Sequence, residues 1–345
     1  MRFPARKMIL LVFTLTGVTL LGFGLWMHDF VTTEVAPDKP AVVEVKPGSS
    51  FARTASQLED AGVISDATPF TLLARWRHVT GQIHAGEYLF EFAASPGAVL
   101  DRLVAGDIRK FHVTIPEGFT LRDIAARLET TGIGIKDEFM ALSSDAVFLD
   151  DLGIDAPGLE GYLFPETYTY TASTTPRQLL LAMVAQLESE LTPELLADAS
   201  QLNLDRHQLI TLASIIQKEA GNAEEMPLIS AVFNNRLRAG IPLQADPTVI
   251  YGIADFNGNL TRKDLATTTP YNTYRIKGLP PGPIASPGLS ALHAAAHPAD
   301  SKALFFVSRG DGTHEFSATL KDHNLAVRRY QLRRRSPAKA NIDIP

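Results

Sequence analysis

The chain of 345 residues contains no cysteine, which excludes disulfides, thiolate metal sites and a cysteine nucleophile. It also lacks an excess of basic residues, because its formal net charge at pH 7 is -6. This acidic balance argues against a general nucleic-acid binder. Apolar residues are not scarce, since 45% of the chain is hydrophobic and 20% is charged. We therefore expect two or three folded domains.

One long uncharged run, residues 8–27, is present near the N-terminus. Its length matches the roughly 20 residues that a helix needs to cross a bilayer. Basic residues precede this run and acidic residues follow it: Arg2, Arg6 and Lys7, then Asp29, Glu34 and Asp38. Residues 8–27 therefore predict a transmembrane helix, and the positive-inside rule predicts a cytoplasmic tail at residues 1–7. A cleaved signal peptide is the alternative, but the run is long for one and no A-x-A-like cleavage site follows.

A repeat begins after a predicted linker at residues 28–42. Residues 45–63 match residues 115–133 at an offset of 70 residues, including apolar positions with helical spacing. Each match contains a turn glycine before the predicted helix and ends at a glycine, Gly62 or Gly132, where a helix C-cap is expected. The chain thus contains two copies of one small unit.

Each copy predicts a strand, a helix, a second helical stretch and a closing strand. The first strands are predicted at residues 43–45 and 113–115, and the closing strands at residues 86–92 and 161–165. This β-α-α-β order resembles the LysM module of peptidoglycan-binding proteins, over residues 43–92 and more loosely over residues 111–164. The resemblance implies sugar binding, and a purely architectural role is the alternative.

The rest of the chain predicts a mainly helical α+β fold and not a doubly wound sheet. Helices are predicted at residues 177–198, 205–221 and 224–239, followed by a loop region at residues 241–290. A short helix is predicted to begin with Ser286 as N-cap and Pro287 at its first position. Strands are then predicted at residues 303–308 and 314–317, and a last helix runs from Leu320 to a basic end.

Glu219 continues an apolar helical stripe. Leu212, Ile215 and Ile216 have i, i+3, i+4 spacing, and Glu219 occupies the next position of the same face. A carboxyl group on such a face would be desolvated, which raises its pKa and keeps the proton that a general acid needs. The alternative is that the stripe emerges into water in the last helical turn. The pattern alone leaves both interpretations open.

The sequence around Glu219 resembles a known family. The run LASIIQKEAG at residues 212–221 is followed in order by five further motifs, at residues 231–237, 243–252, 269–274, 278–284 and 295–298. With GYLFPETY at residues 161–168, these resemble the MltG (YceG-like) family of endolytic murein transglycosylases over nearly the whole chain. The family usually has E-K-E where this chain has Gln217-Lys-Glu219. Glu219 therefore matches the family's catalytic acid.

This resemblance implies a lytic transglycosylase of the cell inner membrane with a periplasmic catalytic domain. It would cut MurNAc-GlcNAc bonds in nascent strands, leave 1,6-anhydro-MurNAc ends, need no metal or cofactor, and work beside penicillin-binding protein synthases. The implied organisation is a LysM-like domain at residues 43–110, a catalytic domain at residues 111–335 and a tail at residues 336–345. A non-catalytic peptidoglycan-binding scaffold and a water-using muramidase are the alternatives.

The family motifs also contain polar and aromatic residues that could hold the sugar. The candidates are Asn235, Gln244, Asp246, Tyr251, Tyr271, Asn272 and Tyr274. Asp246 could equally be an N-cap before Pro247, and Asn235 could fasten its helix to the loops. Glu166 is a candidate second acid or a solvated turn carboxylate.

Metal and nucleophile signatures are not among these motifs. His293 and His297 have a spacing that can bind zinc, but no H-E-x-x-H pattern accompanies them. Ser214 and Lys218 do not have the S-x-x-K spacing of serine enzymes. We therefore predict neither a metal site nor a covalent mechanism. The arginines at the C-terminus, Arg328, Arg329 and Arg333 to Arg335, predict a solvated helix face and tail.

Overall fold

The computed structural model of the chain describes residues 5–332, so the predicted arginine cluster at residues 333–335 lies outside the described part. The chain forms two compact units. The first contains the residues up to Phe111 together with Thr169–Thr174, and the second contains His112–Tyr168 and the residues from Thr175 onward. Each unit has its own core and is described separately.

An apolar helix, α1 (Ala5–Thr32), opens the first unit. Its segment Ile9–Thr32 is the one candidate membrane span among the described residues, and it contains an 18-residue window with a mean hydropathy of 2.1 that is not buried against protein. At about 1.5 Å per residue it is long enough to cross a hydrocarbon core of about 30 Å. The predicted apolar helix is confirmed, and it continues beyond residue 27 into the stretch predicted as a linker.

The first copy of the repeat has the predicted β-α-α-β order. Its elements are β1 (Ala41–Val45), α2 (Phe51–Asp60), α3 (Ala67–Trp76) and β2 (Gly86–Phe90), followed by α4 (Pro96–Ala105). The strands β1 and β2 are antiparallel, with Ala41 opposite Phe90 and Val45 opposite Gly86. The likeness to LysM stays a prediction.

The core of the first unit lies between this small sheet and its helices. Val43 and Tyr88 are buried and alternate with more exposed strand neighbours, and they share one core cluster with Leu58 of α2 and Phe70 of α3. Phe30 of α1 joins the same core and is only 9% exposed. The end of the apolar helix is therefore packed onto the first unit.

The second copy departs from the predicted order. Its elements are β3 (Phe111–Thr114), α5 (Leu121–Glu129), α6 (Lys136–Ser143), α7 (Ala146–Asp151) and β4 (Thr167–Tyr170), with β3 paired to β4. The predicted strand at residues 161–165 is wrong. Gly161 adopts a left-handed φ of +79°, and a Cβ there would overlap the Pro283 ring. The chain turns at this glycine, and the strand forms later.

The remaining elements of the second unit are mostly helices. They are α8 (Pro176–Glu190), α9 (Pro193–Gln201), α10 (Arg206–Glu219), α11 (Met226–Ala239), α12 (Asp246–Tyr251), α13 (Arg262–Ala266), α14 (Leu289–Ala296), β5 (Phe305–Ser308), β6 (His314–Ser317) and α15 (Leu320–Val327). With three two-stranded sheets in the described residues, the α+β prediction is confirmed.

Two helix boundaries differ from the sequence prediction. The helix predicted at residues 177–198 is two helices, because Thr192 caps a new helix that has Pro193 at its first position. The short helix predicted to start after Ser286 starts at Leu289, with Gly288 as N-cap. Both backbone groups of Ser286 are paired elsewhere: its N–H donates to Phe119 O at 2.8 Å and its carbonyl accepts from Gly118 N at 2.8 Å. Ser286 therefore belongs to an extended segment.

Helix α10 is the centre of the second unit. All residues from Leu209 to Ile216 are buried, so the helix is covered on every side. It packs against α9, α11, α12 and α14. Because the helix is fixed along its length, its last residue, Glu219, has a well-defined position.

Candidate active site

Glu219 ends α10 and opens onto a cavity. The helix stops there because Ala220 adopts an extended conformation, with φ -71° and ψ 129°. The Glu219 residue is partly exposed, so it neither stays inside the core nor projects freely into water. The cavity has a volume of about 450 Å³ and is lined by Glu219, Arg236, Leu243, Gln244, Asp246, Tyr274, Phe305, Phe306, Val307, Ser308, His314, Leu320, His323, Val327 and Gln331.

The surroundings of Glu219 favour its protonated form. Burial raises the pKa of the Glu219 carboxyl from 4.5 to about 8, the negative charge of Asp246 adds to the rise, and the positive charge of Arg236 opposes it. A carboxylic acid with this pKa holds its proton at neutral pH and can donate it. The cavity therefore contains a carboxyl group that can act as a proton donor at neutral pH.

Asp246 and Tyr274 form a hydrogen-bonded pair in the cavity. The Tyr274 hydroxyl donates to Asp246 Oδ1 at 2.6 Å, and burial raises the pKa of that hydroxyl. Asp246 is the first residue of α12, whose N-cap is Ala245 and has no side-chain cap. The interpretation of Asp246 as an N-cap is therefore wrong. The Asp246 carboxylate lines the cavity and does not cap the backbone of its own helix.

Gln244 enters the cavity from a strained backbone position. Its φ is +54°, in the left-handed region that few residues other than glycine adopt. The conformation is fixed because Gln244 N donates to Thr273 O at 3.1 Å. Its side-chain Oε1 accepts from Arg236 Nη1 at 3.2 Å. This leaves the Gln244 amide nitrogen available as a donor to a ligand.

Arg236 is a cavity residue that the sequence did not single out, although it follows Asn235 in the same motif. It is buried, and its guanidinium donates to Leu304 O and Leu243 O at 2.7 Å each. These bonds join α11 to the chain before β5 and before α12. Burial lowers the pKa of Arg236, while the neighbouring Tyr274 and Glu219 raise it. The side chain thus both fixes the cavity walls and supplies its positive charge.

Aromatic and histidine side chains complete the cavity wall, and sequence reasoning missed them. His314 Nδ1 lies 2.8 Å from Glu225 Oε2, and the His314 backbone N–H donates to the same carboxylate. His323 stacks on Phe305 with a centroid distance of 5.2 Å. Burial and the charge of Arg236 lower the pKa of His323. These residues come from β5, β6 and α15, where no motif marked them.

Comparisons with known proteins agree on one family. Residues 43–329 match the model of the YceG-like family. The chain belongs to the YceG-like family. The endolytic murein transglycosylase of Bacillus subtilis strain 168 is 32% identical over 304 residues, which cover 84% of either protein.

Two further relatives support this membership. The endolytic murein transglycosylase of Streptococcus pneumoniae D39 is 29% identical over 338 residues, which cover 89% of this chain and 61% of that protein. A crystal structure of a yceG-like protein from Listeria monocytogenes superimposes with a TM-score of 0.58 at 31% identity, covering 83% of this chain and 98% of the other.

Two of the predicted sugar-binding residues of this YceG-like chain lie outside the cavity. Asn235 Nδ2 donates to the carbonyls of Ser301 at 2.8 Å and Ala303 at 2.9 Å. Asn272 is fully buried, and its amide nitrogen donates to the backbone carbonyls of Asp264 and Leu265 in α13 and of Thr267, the residue that follows this helix. Both amides are thus engaged in fastening the loops around the cavity.

Two predicted tyrosines form a separate cluster with a residue that the sequence did not single out. Tyr251 and Tyr271 are in ring contact at 4.8 Å, and the Tyr251 hydroxyl bonds to Glu160. Glu160 also accepts from Leu121 N at 3.0 Å, at the start of α5. Burial raises the pKa of Glu160 to about 7. This cluster links α5 to the end of α12, whose other end carries Asp246.

Glu166 and the paired histidines are also away from the cavity lining. Glu166 is exposed, and its Oε1 accepts from Thr167 N at 2.7 Å. His297 Nε2 is 2.9 Å from Asp198 Oδ2, and the His293 and His297 rings stack at 5.9 Å. Within residues 5–332, no group of three or more His, Cys, Asp or Glu side chains is placed to hold a metal ion.

Proposed function

We propose that this YceG-like chain is an endolytic murein transglycosylase that cleaves MurNAc-GlcNAc bonds in nascent peptidoglycan and leaves 1,6-anhydro-MurNAc ends. The relatives from Bacillus subtilis and Streptococcus pneumoniae carry this activity in their names. The observation that carries the proposal is the Glu219 carboxyl, which faces a cavity with its pKa raised to about 8. A cavity of about 450 Å³ is within the size range of ligand sites.

The first step uses the proton of Glu219. The acid donates it to the glycosidic oxygen, the bond from that oxygen to MurNAc C1 breaks, and the GlcNAc side leaves as an alcohol. Positive charge develops at C1, as in other glycosyl transfers. The Asp246 carboxylate, held by Tyr274, is a negative group of the same cavity and can stabilise this charge.

The second step returns the proton. The Glu219 carboxylate accepts the proton of the MurNAc C6 hydroxyl while the oxygen of that hydroxyl bonds to MurNAc C1. This bond closes the 1,6-anhydro ring. Glu219 ends as it began, and no water is consumed. One group therefore serves as acid and then as base, so a hydrolase's second catalytic carboxylate is not required.

The other cavity residues would hold the sugar. The free amide nitrogen of Gln244 can donate to a hydroxyl or an N-acetyl carbonyl, and the Phe305 and Tyr274 rings offer apolar faces to a pyranose. Arg236 uses most of its donors on backbone carbonyls, so we assign it to cavity shape and charge.

The two rival functions make different demands. A water-using muramidase would favour Glu166 or Asp246 as a second essential carboxylate, and Glu166 is exposed outside the cavity lining. A non-catalytic scaffold has no use for a carboxyl group held protonated in a cavity. The burial of Glu219 thus favours catalysis.

The placement in the cell is part of the proposal. The apolar helix would anchor the chain in the inner membrane with residues 1–7 in the cytoplasm and both units in the periplasm. The repeat units at residues 43–92 and 111–164 would bind glycan in the manner of LysM. Cleavage beside penicillin-binding protein synthases would then end strand elongation close to where strands are made.

The test is product analysis with purified peptidoglycan, using the full-length chain in detergent and water labelled with 18O. We expect product ends of 1,6-anhydro-MurNAc that carry no label, because no water enters the reaction. Reducing MurNAc ends that carry 18O would establish hydrolysis instead. An absence of new ends with the folded chain would support the scaffold.

A further inference from the structure

A groove in the first unit is formed jointly by α1 and α3. It has a volume of about 470 Å³ and is lined by Phe23, Gly24, Met27, His28 and Val31 of α1 and by Leu72, Leu73 and Trp76 of α3. All but one of these residues are apolar or glycine. One wall of the groove therefore belongs to the candidate membrane span, and the other belongs to the folded unit.

The α3 wall exposes large apolar side chains. Trp76 is 77% exposed and Leu72 is 42% exposed. Arg75 and Arg77 flank Trp76 in sequence and are exposed, and the Arg77 guanidinium is also paired with Asp101 at 2.6 Å. An exposed tryptophan between cationic side chains is typical of the membrane interface, where the ring lies at headgroup level and the cations reach the phosphates.

The length of α1 places this groove at the bilayer boundary. The apolar segment Ile9–Thr32 contains 24 residues. A hydrocarbon core takes about 20 residues of helix, so a span that enters at Ile9 leaves the core near His28. Met27 and His28 line the groove beside Trp76. The α3 wall of the groove therefore lies at the same depth as Met27 and His28, at the edge of the hydrocarbon core.

The helix and the first unit are held together at this point. Phe30 is buried in the core of the unit, and Trp26 stacks on Phe30 at 6.5 Å. A Cβ added to Gly97 of α4 would lie 3.1 Å from Val31 Cγ1, so α4 packs closely against the end of α1. The groove is therefore a fixed feature of the unit.

We infer that the α3 face of the first unit is seated in the interfacial layer of the bilayer, with lipid acyl chains filling the groove between α1 and α3. The inference rests on the proposed membrane anchor. Lipid is the occupant because the groove is continuous with the unburied surface of the span through Phe23 and Met27. The anchor and the first unit form one membrane-seated body, which keeps the unit close to newly made strands.

The experiment measures tryptophan quenching by brominated lipids, and the chain has only two tryptophans, Trp26 and Trp76. The full-length chain is reconstituted into phosphatidylcholine nanodiscs with bromine at acyl positions 6,7 or 11,12. Trp26→Phe isolates the signal of Trp76, and Trp76→Phe isolates that of Trp26. A control chain carries Trp26→Phe, Trp76→Phe and Lys46→Trp, so its one tryptophan is at position 46. Lys46 follows Val45, the far end of β1, which lies roughly 13 Å along the strand from Ala41.

We expect the Trp76 signal to fall at least about twofold, more with the shallow bromines than with the deep ones, while the Lys46→Trp signal stays unchanged. Quenching of Trp26 without quenching of Trp76 would overturn the inference and leave the anchor intact. Quenching of neither would overturn both. Product ends measured on the same samples report the proposed transglycosylase activity separately.

Discussion

The Tyr274 hydroxyl donates a 2.6 Å hydrogen bond to Asp246 Oδ1, across 28 positions of the chain. This bond fixes a carboxylate at the start of α12, where its charge reaches Glu219 at the end of α10. That charge raises the pKa of Glu219 beyond the effect of burial. The pair therefore tunes the acid as well as lining the cavity.

The first prediction concerns the alkaline limit of activity. Because the pKa of Glu219 is raised to about 8, kcat/KM should fall as the pH rises through that value. Asp246→Asn removes one cause of the raised pKa, so the alkaline limb should move down by about one pH unit. The exposed Asp255 gives a matched control, and Asp255→Asn should leave the limb in place. If the alkaline limb of the kcat/KM profile does not move in Asp246→Asn, Asp246 does not raise the pKa of the catalytic acid.

The second prediction concerns stability. The folded chain keeps the Glu219 proton up to about pH 8, whereas an unfolded glutamate releases it near 4.5. Stability must therefore fall as the pH rises between these values. Glu219→Gln cannot ionise, so its stability advantage over wild type should grow from nothing below pH 4 to roughly 4 kcal/mol at pH 8.

The measurement is the difference in thermal midpoint between Glu219→Gln and wild type at several pH values, with Glu224→Gln as control because Glu224 is exposed. A constant difference across the pH range would show that Glu219 is not desolvated in the folded chain.

The third prediction separates two amides that sequence reasoning treated alike. Asn235 bonds to the carbonyls of Ser301 and Ala303, so Asn235→Ala should destabilise the chain by about 1–3 kcal/mol and leave KM unchanged. Gln244 faces the cavity. In Gln244→Asn the new asparagine tolerates a positive φ at this position, and its amide group extends less far into the cavity. KM should rise about threefold to tenfold without loss of stability. The opposite pattern would place Asn235 in contact with substrate.

The helix pattern around Glu219 was readable from the sequence. A stripe that includes Ile215 and Ile216 and continues to a carboxylate predicted the helix, because helical period is a local property, and it left a desolvated Glu219 as one of two interpretations. The two strands of the first copy were readable for the same reason. Its two strands are short, alternate in burial and are bounded by turn residues.

The sequence did not indicate which of the other candidate residues lie together in the fold. Tyr251 and Tyr274 sit in neighbouring motifs, yet Tyr274 reaches Asp246 while Tyr251 bonds to Glu160. Which tyrosine enters the cavity depends on how the loop between α12 and α14 is folded, and Asn272 fixes that loop from inside. Such contacts are set by tertiary packing and leave no periodic pattern.

The boundary errors have the same origin. Ser286 has the residue type and spacing of an N-cap, but its backbone pairs with Gly118 and Phe119, which lie far away in sequence. Gly161 matches Gly86, which begins β2 in the first copy, yet in the second copy the chain turns at Gly161 against Pro283. Local propensity was outweighed in both cases by a contact that only the fold creates.

The role of Glu219 as the acid and base of a transglycosylase is tested by the rate at which Glu219→Gln forms 1,6-anhydro-MurNAc ends. We predict a loss of at least about 1000-fold relative to wild type, with Glu224→Gln fully active and all three chains equally folded. A folded Glu219→Gln chain that still forms these ends within about tenfold of the wild-type rate would show that Glu219 is not the acid, because a glutamine amide has no acidic proton to transfer.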